Sequence, residues 1–386
     1  MMDYFTFINV DIRLKILSQL SARDLLNLKC VSKEWKDIIS NRSFVHYLSK
    51  RSETVSGFFF QERFQWCAED IKHISYIPIE TKTTGVHTTA FNFLPESVVL
   101  LSSCNGLICC RCTFPSSNPL IHVCNPLNME WKSIEWSNPS KTTSIALSFD
   151  PLQIQEGDDA SPNFKLVAMS QTEAEAGNEE SHFTFSVFSS ETGEWRRSGE
   201  ICHCKHNMLK NKGIFAGGLL YWLTDGNQII MFDPQQELSF LIAMPFPETH
   251  LCTLPEICIG ESKGKLHYVL LSDDGLQLWV LVDHFESLWD LTFSVPLDEL
   301  ERENSEFLYN IASKLARRST IDMVPQCIDL LAFKDGVLLT RVCSDVYSFN
   351  FESRKMKKIC KLVDLGRNSF YAPIVLPYAM SLVPLV

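Results

Sequence analysis

A turn signature that returns five times in one register constrains this chain more than any other feature. Asn125, Ser189, Asp233, Asp283 and Asn350 each stand at a turn, and Cys124, Phe188, Phe232, Val282 and Phe349 precede them directly. Four residues before each turn come Ile121, Phe185, Ile229, Trp279 and Val346. All ten of these are apolar. Six residues after each turn come Trp131, Trp195, Ser239, Trp289 and Met356. Short polar side chains at a turn start bond their own backbone two residues on, and apolar flanks in a fixed register read as paired strands. A unit of this size cannot bury its own apolar face, so neighbouring units must stack on one another.

One unit is legible throughout. Gly218-Leu219-Leu220-Tyr221-Trp222-Leu223 reads as a strand, Thr224-Asp225-Gly226-Asn227 as a hairpin turn, and Gln228-Ile229-Ile230-Met231-Phe232 as its partner. Asp233-Pro234-Gln235-Gln236 then turns into Glu237-Leu238-Ser239-Phe240-Leu241. The turn residues are spaced by 64, 44, 50 and 67 positions. Four-stranded propeller blades repeat every ~40–50 residues, so two spacings need insertions. Residues 170–181 supply an acidic loop. Residues 297–318 supply a helical pattern through Leu297, Leu300, Phe307, Leu308, Ile311 and Leu315. Residues 55–100 add a sixth unit, and a strand around Tyr378–Val383 is placed to close the ring. The expectation is a mainly β chain: a helical unit over 1–50, then a β-propeller-like domain of about six blades over 51–386. A β-sandwich is the rival.

The first fifty residues have a different period. Ile8, Ile12, Ile16, Leu17 and Leu20 recur at three- and four-residue spacing, which puts them on one helix face. Ser21 fits an N-cap with Asp24 three residues on, and Leu25, Leu28 and Val31 continue the stripe. Ser32 caps a third helix carrying Trp35, Ile38 and Ile39. So short a unit exposes more apolar surface than it covers. It is either a cap on the following domain or a module that docks another protein.

Composition narrows the classes. The chain has 386 residues, 45% of them hydrophobic, so it has the material for a large core. The net charge of −11 excludes the basic footprint of a nucleic-acid binder. No apolar run nears the ~18 residues that cross a bilayer. Fourteen cysteines without a secretory leader pattern suit unpaired thiols in a reducing compartment, cytoplasmic or nuclear. Cys202-His203-Cys204-Lys205-His206 invites a zinc reading, but Cys-x-Cys sets both thiols on one face of a strand and no partner half-site lies at finger spacing. Buried core thiols are the simpler reading, and no metal or other cofactor is expected. No phosphate loop or nucleophile elbow is present.

The helical unit resembles an F-box. Ile8-Asn9, Asp11-Ile12, Ile16-Leu17, Leu20-Ser21, Leu25-Leu26, Cys30-Val31-Ser32-Lys33 and Trp35 follow that family's order, with Asn9 and Ser21 where it has prolines. Downstream, Ser103-Cys104-Asn105-Gly106-Leu107-Ile108-Cys109, then Cys124-Asn125-Pro126-Leu127, Trp195, Gly218–Leu223 and Asp233-Pro234 resemble the kelch-like, F-box-associated propeller region of plant F-box proteins. That second resemblance covers most of 96–250. Together they imply a non-catalytic substrate-recognition subunit of a Skp–cullin–F-box ubiquitin ligase. Its partners would be a Skp-type adaptor, through it a cullin–RING complex, and a target protein whose binding residues the sequence does not name. Neither nucleic acid nor a membrane is among the implied partners. The implied adaptor anchors are Ile8, Ile12, Ile16, Leu17, Leu25, Leu28, Val31 and Trp35. The rival function is a propeller scaffold without a role in ubiquitin transfer.

Overall fold

Four short helices come first among the described residues, and three of them have a polar starter. In a computed structural model of the protein, residues 10–49, 54–62, 74–79, 91–113, 119–136, 143–153, 163–172, 182–209, 212–245, 256–316, 328–365 and 373–385 are described. The first four elements are α1 (Val10–Leu17), α2 (Ala22–Leu28), α3 (Lys33–Ser40) and α4 (Arg42–Ser49). Ser21 Oγ accepts the Asp24 amide at 3.1 Å, and Ser32 Oγ accepts that of Trp35 at 3.2 Å. Both satisfy amides that a helix start leaves without a partner. Asn41 Oδ1 does the same for Ser43 at 2.9 Å, opening α4.

Strands follow as antiparallel meanders. β1 (Gly57–Gln61) and β2 (Ile74–Pro78) come first. Blade 1 is β3 (Val98–Cys104), β4 (Leu107–Cys112), β5 (Leu120–Asn125) and β6 (Glu130–Glu135). Blade 2 is β7 (Ser144–Phe149), β8 (Phe164–Thr172), β9 (His182–Ser189) and β10 (Glu194–His203). Blade 3 is β11 (Ile214–Ala216), β12 (Leu219–Leu223), β13 (Gln228–Asp233) and β14 (Leu238–Ala243). Blade 4 is β15 (Glu256–Ser262), β16 (Lys265–Ser272), β17 (Gly275–Asp283) and β18 (Leu288–Val295). After α5 (Leu297–Glu303) and α6 (Ile311–Ala316), blade 5 is β19 (Ile328–Lys334), β20 (Val337–Val342), β21 (Asp345–Asn350) and β22 (Lys355–Lys361). Finally β23 (Ile374–Tyr378) pairs antiparallel with β1, whose other edge holds β2.

The ring is a closed β-propeller. The inner strands β3, β7, β11, β15 and β19 pack each on the next, β19 packs on β23, and β23 packs on β3. With the three-stranded sheet β2–β1–β23 as the sixth blade, six apolar clusters fill the six gaps between consecutive blades. The inner strands of blades 4 and 5 approach closely enough to pair in parallel at Gly260–Phe333. A Cβ at residue 260 would sit 2.1 Å from the Phe333 carbonyl oxygen, so glycine is required there. The closing strand lies over 374–378, a few residues before the stretch expected from sequence. Residues 381–383 instead form a tail on blade 1, where Asn125 Nδ2 donates to the carbonyls of Ser381 at 2.9 Å and Val383 at 2.8 Å.

The five recurring turns share one chemistry. The side chains of Asn125, Ser189, Asp233, Asp283 and Asn350 accept amides two or three residues on. The fourth residue after each has positive φ: Met129, Gly193, Glu237, Ser287 and Arg354. The recurring tryptophan links neighbours. Trp195 Nε1 donates to the Glu135 carbonyl at 3.0 Å, and Trp289 Nε1 to that of Ala243 at 2.9 Å, each on the outer strand of the preceding blade. In blade 5 the register position holds Met356, and the gap beside it is filled by Leu300, Leu308 and Ile311 of the α5–α6 insertion. Trp195→Phe and Trp289→Phe should therefore each cost about 1–2 kcal/mol in urea unfolding, one hydrogen bond plus the part of the indole that the smaller ring does not replace. A loss of several kcal/mol from either would contradict the role.

The helices share a core with the ring. Leu17, Leu25, Ile39, Phe44, Val45 and Leu48 form one cluster with Leu107, Ile121 and Leu147 of blades 1 and 2 and with Leu382 and Val383 of the tail. Residues from 317 to 327 and from 173 to 181, where parts of the two expected insertions fall, lie outside the described residues.

Candidate functional site

Two features of the helical unit decide what it can bind. First, its inward side is fixed: Leu17 and Leu25 are each 1% exposed and Ile39 is fully buried. An Arg13–Glu34 ion pair ties α1 to α3. Second, it carries exposed apolar side chains: Ile12 is 53% exposed, Ile16 44%, Val31 67% and Leu20 36%. Large apolar side chains in this density on one small unit mark an interaction surface.

The implied anchors therefore separate. Ile12, Ile16 and Val31 face outward. Leu17 and Leu25 lie inside the shared core, where they hold the helices on the ring and present no surface. Leu28 and Trp35 are half-buried against that same cluster. Ile8 lies outside the described residues. The sequence reading missed α4, although Asn41 followed by Phe44, Val45 and Leu48 is an N-cap ahead of a helical stripe.

At one end of the ring, α4 stands beside the mouth of the central channel. The turns between first and second strands rim that mouth at Asn105, Gly217-Gly218, Lys263-Gly264 and Asp335. Asn105-Gly106, Gly217-Gly218, Lys263-Gly264 and Asp335-Gly336 all have both φ values positive, the turn that matches strand twist. The mouth encloses a cavity of about 550 Å³, walled also by Val45, Leu48, Phe215 and Leu382. Lys334 pairs with Glu261 in its wall.

Both thiols of the Cys202–His206 stretch are packed in the core. Cys202 and Cys204 are buried together between blades 2 and 3. Burial pushes the Cys202 thiol up to about 11 and raises Cys204. Cys104, also buried, is pushed up to about 12. Among the described residues, no group of three or more His, Cys, Asp or Glu side chains gathers in a metal-binding arrangement. Cys30 and Cys343 are exposed. Peptide mapping after brief native alkylation should find Cys30 and Cys343 modified, and Cys104, Cys109, Cys110, Cys202 and Cys204 modified only after denaturation. Rapid native labelling of Cys202 would contradict this account.

A closed propeller ring carrying a helical unit with an outward apolar face defines a β-propeller protein with an appended helical unit. Comparison with known proteins gives that class its family. The F-box domain matches residues 8–47, and the β-propeller of the At3g26010-like F-box proteins matches residues 75–307. The chain belongs to this family of F-box β-propeller proteins. Its relatives include two Arabidopsis thaliana proteins. F-box protein At5g07610 is 23% identical over 92% of this chain and 86% of its own length. F-box protein At5g49610 is 24% identical over 74% and 78%. Among solved structures, the β-propeller domain of the Trilobed protease from Pyrococcus furiosus aligns at 9% identity and TM-score 0.37, over 78% of this chain and 84% of that one. The chain is thus an F-box protein of the substrate-receptor type. Among its described residues no helix is long and apolar enough to cross a membrane.

Proposed function

We propose that this protein is the substrate-recognition subunit of a Skp–cullin–F-box type ubiquitin ligase. The observation that carries the reading is the outward face of Ile12, Ile16, Leu20 and Val31 on a unit whose other side is already spent on the ring. A Skp-type adaptor would cover that face by helix packing. The propeller would hold a target protein through its loops, which vary without altering the blades. The chain performs no bond chemistry itself. It raises the effective concentration of the target near a charged carrier enzyme, and the transfer is done by other subunits. Its place of action would be the cytoplasm or nucleus.

One observation favours the scaffold reading instead: the helices share the core of blades 1 and 2, as a cap would. Deleting residues 1–45 does not separate the two readings, because Phe44 and Val45 belong to that core. Titration of the purified full chain with a Skp-type adaptor does. Saturable one-to-one binding supports the receptor reading, and no binding by a cooperatively folded chain leaves the scaffold.

A further inference from the structure

Away from the helical unit, exposed apolar side chains concentrate on the outer strands of blades 3 and 4. Leu238 and Phe240 of β14 and Phe285 and Leu291 of blade 4 are all exposed, Phe285 at 65%. They share one groove. Side chains alternate along a strand, and Ile242 and Trp289 both sit in the core between blades 3 and 4. Leu238 and Phe240 therefore lie on the side of β14 that faces blade 4, and Leu291 on the side of β18 that faces blade 3. The Phe240 and Phe285 rings meet edge to face, with centroids 5.1 Å apart. The outer edge of β14 is already in use. The Ala243 amide donates to Ser287 Oγ at 3.0 Å, its carbonyl accepts from Trp289, and the Ser239 amide donates to Glu200 at 2.9 Å. An added strand would find those groups taken, so the groove offers side chains and not a backbone ladder.

Charge separates this groove from the rest of the outer surface. The outer strands β6, β10 and β22 all carry Lys or Arg, whereas residues 228–244 and 275–295 hold none. Those two hairpins hold five carboxylates instead: Asp233, Glu237, Asp283, Glu286 and Asp290. Arg196 and Lys165 of blade 2 reach the blade 3 turn, at Glu237 and at Pro234-Gln235. The blade 4 turn keeps Asp283 and Glu286 on either side of Phe285. A second copy of the chain would bring the same acidic fringe to the contact and be repelled. We propose that the groove binds a short amphipathic helix of another protein. Its apolar anchors, three or four residues apart, would sit on Phe240 and Phe285, with Lys or Arg beside them facing the blade 4 turn. A helix satisfies its own backbone and needs nothing from the strand edges. The groove is open whether or not the helical unit takes an adaptor; on the receptor reading its occupant is part of the target.

The test selects phage-displayed random peptides on the immobilised full chain, with counter-selection on the Phe285→Ser chain to remove peptides held elsewhere. Surviving sequences should carry Leu, Phe or Trp at three- or four-residue spacing beside Lys or Arg. As synthetic peptides they should bind saturably in calorimetry, and more weakly as salt rises. Phe285→Ser and Phe240→Ser should each weaken them about tenfold or more, as loss of a central aromatic anchor does. Glu286→Lys with Asp290→Lys should also weaken them and flatten the salt dependence. Adaptor titration of the Phe285→Ser chain should match wild type, whatever wild type shows, so this proposal and the receptor reading fail separately. If Phe240→Ser lowers the melting temperature, Phe285→Ser, in an exposed turn, and the charge variant decide. No surviving peptide, survivors without basic residues, or full affinity in the charge variant would overturn the proposal, as would a dimer of the chain that Phe285→Ser dissolves.

Discussion

Ile16→Asp combined with Val31→Asp should abolish the proposed capture of a Skp-type adaptor and leave the melting transition of the free protein within about a degree of wild type. Both side chains are well exposed, so in the free chain the new carboxylates stay in water, where such changes usually fall within ~0.5 kcal/mol. In a complex the same carboxylates would be driven into an apolar contact without a partner. Central apolar anchors are worth about 2–4 kcal/mol each, so the pair should cost a factor of a thousand or more in affinity. Leu25→Asp is the contrasting control. At 1% exposure it puts a charge inside the core shared by helices, blades and tail, and it should lower the melting temperature of the whole chain. Calorimetry with purified adaptor and a thermal melt of each variant separate the two effects. Wild-type affinity in the double variant would move the docking face elsewhere. Trp35 is a less decisive choice, since half of it packs on the core and its loss would combine folding with binding.

Much of the ring was legible because its grammar is local. A polar side chain at a turn start bonds backbone two or three residues on, and this happens at all five positions that the sequence aligns. The helix starts at Ser21 and Ser32 were readable for the same reason, and Ser21 supplies a cap where the family has proline. What escaped was non-local. The closing strand was displaced by a few residues because Pro377 is its fourth residue of five, and proline weakens any strand signal. It is tolerated there because β23 pairs through strand hydrogen bonds with β1 alone, at the inner edge of its sheet. The split between outward and inward anchors could not be read from spacing. Ile16 and Leu17 are neighbours in one helical stripe, and only the ring underneath decides that Leu17 is covered. The cavity at the channel mouth is further removed still, because it is assembled from turns of different blades, α4 and the tail.

Truncation after residue 373 should abolish the cooperative unfolding transition altogether, a larger effect than any single substitution. The lost segment holds β23, which pairs with β1 along all five residues from Gly57–Tyr378 to Gln61–Ile374. It also holds Val375, Leu376, Tyr378, Leu382, Val383 and Leu385, all buried. Their burial contributes on the order of 10 kcal/mol, comparable to the entire stability of a typical domain. The loss is also architectural. Without β23, β19 and β3 have no inner strand between them, β1 is left with an unpaired edge, and open edges invite association between chains. The truncated chain should lose its near-ultraviolet circular dichroism and sediment as aggregates. A synthetic peptide covering 373–386 should restore part of the signal in trans, since its hydrogen-bonding partners on β1 remain in the truncated chain. Asn125→Ala probes the same closure more gently. It removes the two bonds to the Ser381 and Val383 carbonyls and the acceptor of the Leu127 amide, and should cost about 3 kcal/mol while leaving the transition cooperative. A truncated chain that melts cooperatively at the wild-type temperature would mean that closure is not what holds the ring together, and the tail would then be only a support for the helices docked above it.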